Sequence, residues 1–355
     1  MNKTSSSVRS SLLLLLTAAI WGVAFVAQSV GMEYVGGFTF NSVRFLIGAA
    51  VLFPFVLIIN KKEKGPGSQG NFNKAGFMTQ TGPAGEIKTS NTPPSNAGNS
   101  GSYKYKADNS RKDNSGSYKL ISGGIVCGVL LCMASNFQQF GIKYTTVGKA
   151  GFITALYIIL VPVFGLFLKK KTGAFIWAAV VLALVGLYLL CIKEGFSLGK
   201  GDILVMICAV LFAFQILAVD HYSPLVSSGT ALSMIEFLVS GLLSAIPALL
   251  FEHPELSQLL AAWKPILYAG VFSSGIAYTL QIIAQKDLDP TVASLIMSLE
   301  SSIAMLAGWL ILGQTLSRRE LTGCAVMFCA IILAQLPSMP ATGTKKLSSK
   351  CFRLF

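Results

Sequence analysis

A chain of 355 residues with 53% hydrophobic and only 12% charged residues, and a mean hydropathy of +0.64, has too little polar surface to cover a soluble globule of its size. The formal net charge of +13 would suggest a nucleic-acid partner in a soluble protein, but here the Lys and Arg lie in connections between apolar runs, where they act as topology signals. Composition therefore excludes a nucleic-acid-binding globule and points to an all-α polytopic membrane protein embedded in the lipid bilayer.

In chain order, windows long enough to cross about 30 Å of hydrocarbon fall at 11–30, 38–60, 120–141, 147–168, 173–192, 201–220, 228–251, 265–285, 290–312 and 321–337. Lipid cannot satisfy backbone hydrogen bonds, and the runs are too long and too unalternating for barrel strands, so ten transmembrane helices are expected. The first window follows Lys3 and Arg9 like the core of a signal peptide, but it continues past Trp21 and is read as an uncleaved span. Alternating the connections between the two sides puts most Lys and Arg on the side of both termini, including the run at 169–171 and the tail at 338–355. By the positive-inside rule both termini are cytoplasmic, in a multi-pass protein of the cell (plasma or inner) membrane. Residues 61–119 are rich in Gly, Ser, Asn and Lys and duplicate NSGSYK at 99–104 and 114–119. Their hydrophobicity is too low to offset the entropy of ordering, which predicts a disordered cytoplasmic insert.

Cys127, Cys132, Cys191, Cys208, Cys324 and Cys329 fall inside apolar windows without metal-site spacing, so they are read as small hydrophobes and no metal is expected. No phosphate loop of the GxxxxGK[ST] kind occurs, which argues against direct ATP hydrolysis, and nothing calls for a cofactor.

The two halves resemble each other. NSVRFLIG (41–48) aligns with SMIEFLVS (233–240), which sets Arg44 opposite Glu236. ASNFQQ (134–139) aligns with AYTLQI (277–282), which sets Gln138 opposite Gln281. Thr146-Val147 and Thr172-Gly173 match Thr291-Val292 and Thr322-Gly323. Five helices per half is an odd number, so the second copy enters the membrane from the other side. The expected architecture is a pair of inverted five-helix repeats, at 11–193, interrupted by the insert 61–119, and at 201–337, flanked by a 1–10 N-terminus and the basic 338–355 tail. Such pairs underlie many secondary transporters.

The motifs AAIWGVAFVAQ (18–28), FTFNSVRFLIGAA (38–50), GFITALYIILVPVFGLFL (151–168), LQIIAQ (280–285) and LILGQTLS (310–317), in this order, resemble the drug/metabolite transporter superfamily, and within it the EamA-type ten-helix transporters. Two positions depart from the family pattern: Gln314 follows Gly313 where Glu is usual, and Ser301 follows Glu300 where Pro is usual. The resemblance implies a transporter built from two EamA-like repeats.

Candidate substrate-binding residues are polar or aromatic groups inside the spans. Glu300 stands ten residues inside the stretch 290–316, a depth that costs about 2.5 kcal/mol or more for a charge. Its counterpart in the repeat is Ala155. Glu300 suits proton relay or cation binding, or a protonated helix contact. Arg44 suits a carboxylate or phosphate, and Glu236 an amine or a coupling proton; each also fits a structural pairing or a side chain reaching the interface. Asn136, Gln138, Tyr278 and Gln281 supply uncharged hydrogen-bonding groups that either line a cavity or join helices. Trp21, Phe25 and Tyr157 are placed as an aromatic wall, with Gln28 a turn further along the first helix. Pro162 should kink the fourth span, and Gly124 with Gly128 reads as close packing.

The function this supports is secondary transport, by alternating access, of a small polar or amphipathic metabolite, amino-acid-like or related. Export is the expected direction, and Glu300 or Glu236 offers a route to proton coupling. A carrier of lipid-linked or nucleotide-linked sugars is the main alternative. An intramembrane enzyme is distant, because His221 and His253 are the only histidines and no HExxH or GxSxG occurs, so no catalytic residue is assigned. The expected partner is a small-molecule substrate, and a homodimer is compatible with the sequence.

Overall fold

A computed structural model describes residues 3–63, 101–145, 147–169, 173–191, 199–313 and 317–335. Among them every regular element is a helix, with no strand. The order is α1 (Lys3–Gly31), α2 (Gly37–Glu63), α3 (Gly101–Tyr144), α4 (Val147–Ala155), α5 (Tyr157–Phe167), α6 (Ala174–Cys191), α7 (Lys200–Tyr222), α8 (Gly229–Pro247), α9 (Leu256–Ala261), α10 (Trp263–Leu267), α11 (Thr279–Gln285), α12 (Pro290–Met297), α13 (Glu300–Leu312) and α14 (Arg318–Gln335). Eight stretches among the described residues are long and apolar enough to cross a bilayer. Together with α6 and α14 they occupy the ten expected windows, and the protein is an all-α polytopic membrane protein of two inverted five-helix repeats.

Both ends of the expected insert 61–119 are helical among the described residues. α2 runs on to Glu63 and α3 already starts at Gly101, so the second NSGSYK is helical. Once a long span has nucleated, adding residues to its end costs little more than their propensity, so polar flanks continue it. Residues 64–100, Lys170, Lys171, Gln314 and the 338–355 tail lie outside the described residues. Among the cysteines, Cys127, Cys132, Cys208 and Cys324 are buried, whereas Cys329 faces outward on α14.

The fourth and ninth spans are not the single helices expected. α4 gives way to α5 at Leu156, and α12 to α13 at Ser298 and Leu299. The turns tighten there to three-residue hydrogen bonds, Leu156 N–H to the Ile153 carbonyl and Leu299 N–H to that of Ile296. Pro162, the expected kink, lies within α5, several residues past the break. In the eighth span, residues Tyr268–Tyr278 form a π-helix between α10 and α11. A π-helix is wider than an α-helix and re-aims the side chains that follow it.

The repeats exchange partners. α2 packs on α8, where Phe45 stacks on its counterpart Phe237 with centroids 6.2 Å apart, and the Ser42 hydroxyl donates to the Gly241 carbonyl over 3.0 Å. α3 packs on α8 through Gly128, onto whose carbonyl Ser240 donates over 2.7 Å. A Cβ on Gly128 would stand 2.7 Å from Val239 Cβ and 2.8 Å from the Glu236 carbonyl oxygen, so the GxxxG pair is a close-packing device. α1 lies on α13, where Gly22 makes room for Ile303.

Candidate functional site

A cavity opens at the seam of the two repeats. One face of α1 (Trp21, Ala24, Phe25, Gln28) meets one face of α7 (Phe212, Gln215, Ile216), both with the three- and four-residue spacing of a helical stripe. Arg44 enters from α2, Gln138 from α3, Thr154 from α4, and Ser273, Tyr278 and Gln281 from the eighth span. Tyr157 and Glu300 close the wall at the two interrupted spans, each as the first residue of the second half-helix.

The polar geometry is sparse. The Tyr157 hydroxyl donates to Glu300 Oε1 over 3.0 Å. Gln138 Nε2 donates to the Thr154 hydroxyl over 3.3 Å, and Trp21 Nε1 to the Ser273 carbonyl over 3.4 Å, with the Trp21 ring 4.5 Å from that of Tyr278. Arg44 is 1% exposed. Its guanidinium carbon lies 4.5 Å from the Phe45 ring centroid, and Nε and Nη2 have no hydrogen-bond partner. Glu300 is 4% exposed, and no ion pair joins it to Arg44. The site thus holds a cation and an acid with capacity to spare, at a place where leaving either unmet is costly.

Nine of the eleven expected site residues line this cavity: Trp21, Phe25, Gln28, Arg44, Gln138, Tyr157, Tyr278, Gln281 and Glu300. Asn136 does not. Two residues before Gln138 on a helix is nearly the opposite face, and Asn136 is occupied between helices, accepting from Asn41 and donating to the Ser244 hydroxyl over 2.9 Å. Glu236 is also outside the wall. It is fully buried behind it, with Oε1 accepting from Gln215 Nε2 over 2.9 Å and Oε2 unpartnered. Gln281 Nε2 in turn donates to Gln215 Oε1 over 3.3 Å. Sequence reasoning missed Ala24, Thr154, Phe212, Gln215, Ile216 and Ser273. The repeated stripe spacing of α1 on α7 was the available signal for three of them.

The two ends of the bundle differ. At the end where α2 starts, Asp202 accepts from Lys149 Nζ over 2.6 Å, from the Thr145 hydroxyl over 2.8 Å and from Gly199 N–H over 2.7 Å. Glu252 there accepts from the backbone of Phe38 and Thr39, capping α2 from the other repeat. At the end where α1 starts, Asp289 caps its own helix α12, and Lys286 Nζ donates to the Val226 carbonyl. Partial burial lowers the Lys286 pKa, with Asp287 opposing.

The EamA-like transporter family matches the chain over residues 8–81 and 199–336. An uncharacterized transporter of Archaeoglobus fulgidus is 26% identical over 324 residues, 91% of this chain and 84% of that protein. The uncharacterized inner membrane transporter YedA of Escherichia coli is 26% identical over 61% of this chain and 71% of its own length. The threonine/homoserine exporter RhtA of Salmonella typhimurium is 30% identical over 183 residues, 49% of this chain and 57% of its own. A crystal structure with 17% sequence identity shares the fold, with a TM-score of 0.65 over 93% of this chain and 98% of that one.

Proposed function

The chain belongs to the EamA-like transporter family, and on that premise we propose that it moves a small, polar or amphipathic, amino-acid-like metabolite through the α1/α7 cavity by alternating access. The observation that carries this reading is the pair Arg44 and Glu300: both are buried in one cavity wall, of opposite charge type, and not paired with each other. A zwitterion meets both demands, its carboxylate on the open guanidinium and its ammonium on Glu300. The aromatic faces of Trp21, Phe25 and Tyr278 cover an apolar side chain. Similarity to a threonine/homoserine exporter supports this substrate class and export as the direction. Glu300 exchanges its proton against the substrate ammonium, so a pH gradient drives turnover. The protein works in the cell membrane with both termini cytoplasmic.

The competing cargo, a nucleotide- or lipid-linked sugar, carries a diphosphate that calls for several cations. Arg44 is the one Lys or Arg among the described residues of the cavity wall, which favours the smaller substrate. The test is counterflow of radiolabelled L-threonine, homoserine and an amino-acid panel in proteoliposomes, with and without a pH gradient. Exchange that is lost in Arg44→Ala and Glu300→Gln supports the reading. No exchange of any amino acid by folded protein overturns it, and rates indifferent to the gradient overturn the coupling.

A further inference from the structure

Among the described residues, Glu236 is a buried acid that the cavity does not explain. It sits on α8 with no exposure, and its one hydrogen bond comes from Gln215. Its neighbours offer no compensating charge. On α3 the closest titratable group is Cys127. From the eighth span it is Tyr278. On α2, Arg44 turns into the cavity and makes no ion pair with it. From α7 comes the uncharged Gln215.

What Glu236 does have is a line of amides leading to the cavity. Gln281 Nε2 donates to Gln215 Oε1, and Gln215 Nε2 donates to Glu236 Oε1, so that both donors point at the acid. Gln281 is the member of the line that belongs to the cavity wall, and its Oε1 is left without a partner, as is Glu236 Oε2 at the other end. An amide has a donor on one side and an acceptor on the other, and a half-turn about its last bond exchanges them. The arrangement observed suits an acid that only accepts. When the acid oxygen facing Gln215 takes a proton from water it becomes a donor, and Gln215 must present Oε1 to it. Its Nε2 then faces Gln281, which turns in the same way and shows Nε2 to the cavity in place of Oε1.

We infer that Glu236 is a proton-binding site behind the cavity wall, whose protonation is relayed through Gln215 and Gln281 and switches the cavity face of Gln281 between hydrogen-bond acceptor and donor. Glu300 is then the acid that meets substrate, and Glu236 a positioning group that acts through two amides. The consequence for transport rests on the cavity reading above: an acceptor face favours an ammonium, and a donor face disfavours it. The relay itself does not depend on any substrate.

The probe is accordingly the proton. Infrared difference spectra of the purified protein, taken across roughly pH 5 to 9, should contain a carboxylic-acid carbonyl band that disappears in Glu236→Gln. Side-chain amide bands of isotope-labelled glutamine should move with the same midpoint. Those amide changes should shrink in Gln215→Met while the Glu236 carboxyl band persists; if Gln215→Met does not fold, Gln281→Met breaks the line one step later and should remove part of them. Carboxyl bands that are all unchanged in Glu236→Gln overturn the site, as does the absence of any such band; the band of Glu300 is told apart by its own loss in Glu300→Gln. Amide changes that are intact in Gln215→Met or Gln281→Met overturn the relay. Failure of amino-acid exchange in proteoliposomes would remove the substrate reading and leave these spectra unaffected. Where exchange is observed, its KM should lose part of its pH dependence in Glu236→Gln with kcat largely kept.

Discussion

Tyr157 donates its hydroxyl to Glu300 over 3.0 Å, and each of the two opens the second half of an interrupted span. The bond therefore joins the fourth and ninth spans where both are interrupted, and transporter helices commonly meet their cargo at such breaks. It occupies one carboxylate oxygen of a residue that lines the cavity. Tyr157→Phe should cost about 1 kcal/mol of stability, the net worth of a hydrogen bond, and should weaken rather than abolish transport. Glu300→Gln keeps an oxygen for Tyr157 and loses the acid. Its melting temperature in detergent should stay within a few degrees of the parent, while exchange of amine-bearing substrates falls by at least tenfold. Normal exchange by Glu300→Gln would remove Glu300 from the proposed site.

Arg44 supplies the opposite test, because a residue kept for function is often a burden to the fold. Its Nε and Nη2 are buried without partners. Buried ion pairs replaced by apolar side chains of similar volume are often neutral or stabilising, by about 1–4 kcal/mol, and a lone buried charge has even less attraction to lose. Arg44→Met should thus melt at the same or a higher temperature than the parent and lose transport. A large destabilisation would instead make Arg44 structural.

Gly128 tests the inter-repeat contact. A Cβ there meets Val239 and the Glu236 carbonyl oxygen well inside contact distance, with no flexible chain end to give way. Gly128→Ala should destabilise by about 1–3 kcal/mol, the usual cost of overpacking. Gly173→Ala is the matched control, since nothing lies within 4 Å of its Cβ position. Thermal unfolding of the two variants side by side decides the point.

The cavity was legible in the sequence wherever a polar or aromatic side chain stood out in an apolar window and the repeat fixed its depth. Arg44, Gln138, Gln281 and Glu300 are of this kind. Facing was less legible than depth. Arg44 and Glu236 occupy matching positions, yet one turns into the cavity and the other is sealed against α3 and α7. Asn136 and Gln138 are separated by two residues, and only the packing of α2 on α3 decides which of them meets a neighbour. Ser273 was beyond reach because it sits in the π-helical stretch, where the helical periodicity that sequence reasoning uses does not hold. Gln215 resembles an ordinary interhelical contact until Glu236 and Gln281 are seen on either side of it.

Asp202 closes one end of the bundle. It is 2% exposed and, from the first turn of α7, ties Lys149 in the first turn of α4, Thr145 at the end of the third span and Gly199 ahead of α7 into one cluster. Under alternating access that cluster must come apart in each cycle, since it joins the two repeats beside the cavity. Asp202→Asn weakens the tie to Lys149, keeps an acceptor for Gly199 N–H and turns the amide donor toward the Thr145 hydroxyl oxygen, which can accept it. Lys149 is 27% exposed, so solvent screens part of the attraction, and the change should be worth about 1 kcal/mol. That corresponds to roughly a fivefold shift toward the state open at this end. Gln28→Cys, in the cavity wall, reports the shift: its labelling by a membrane-impermeant maleimide should quicken in the Asp202→Asn background, and high salt should quicken it in the parent but add little in the variant. Equal labelling rates in both backgrounds would mean that the Lys149 to Asp202 pair holds the loop in place without gating the cavity.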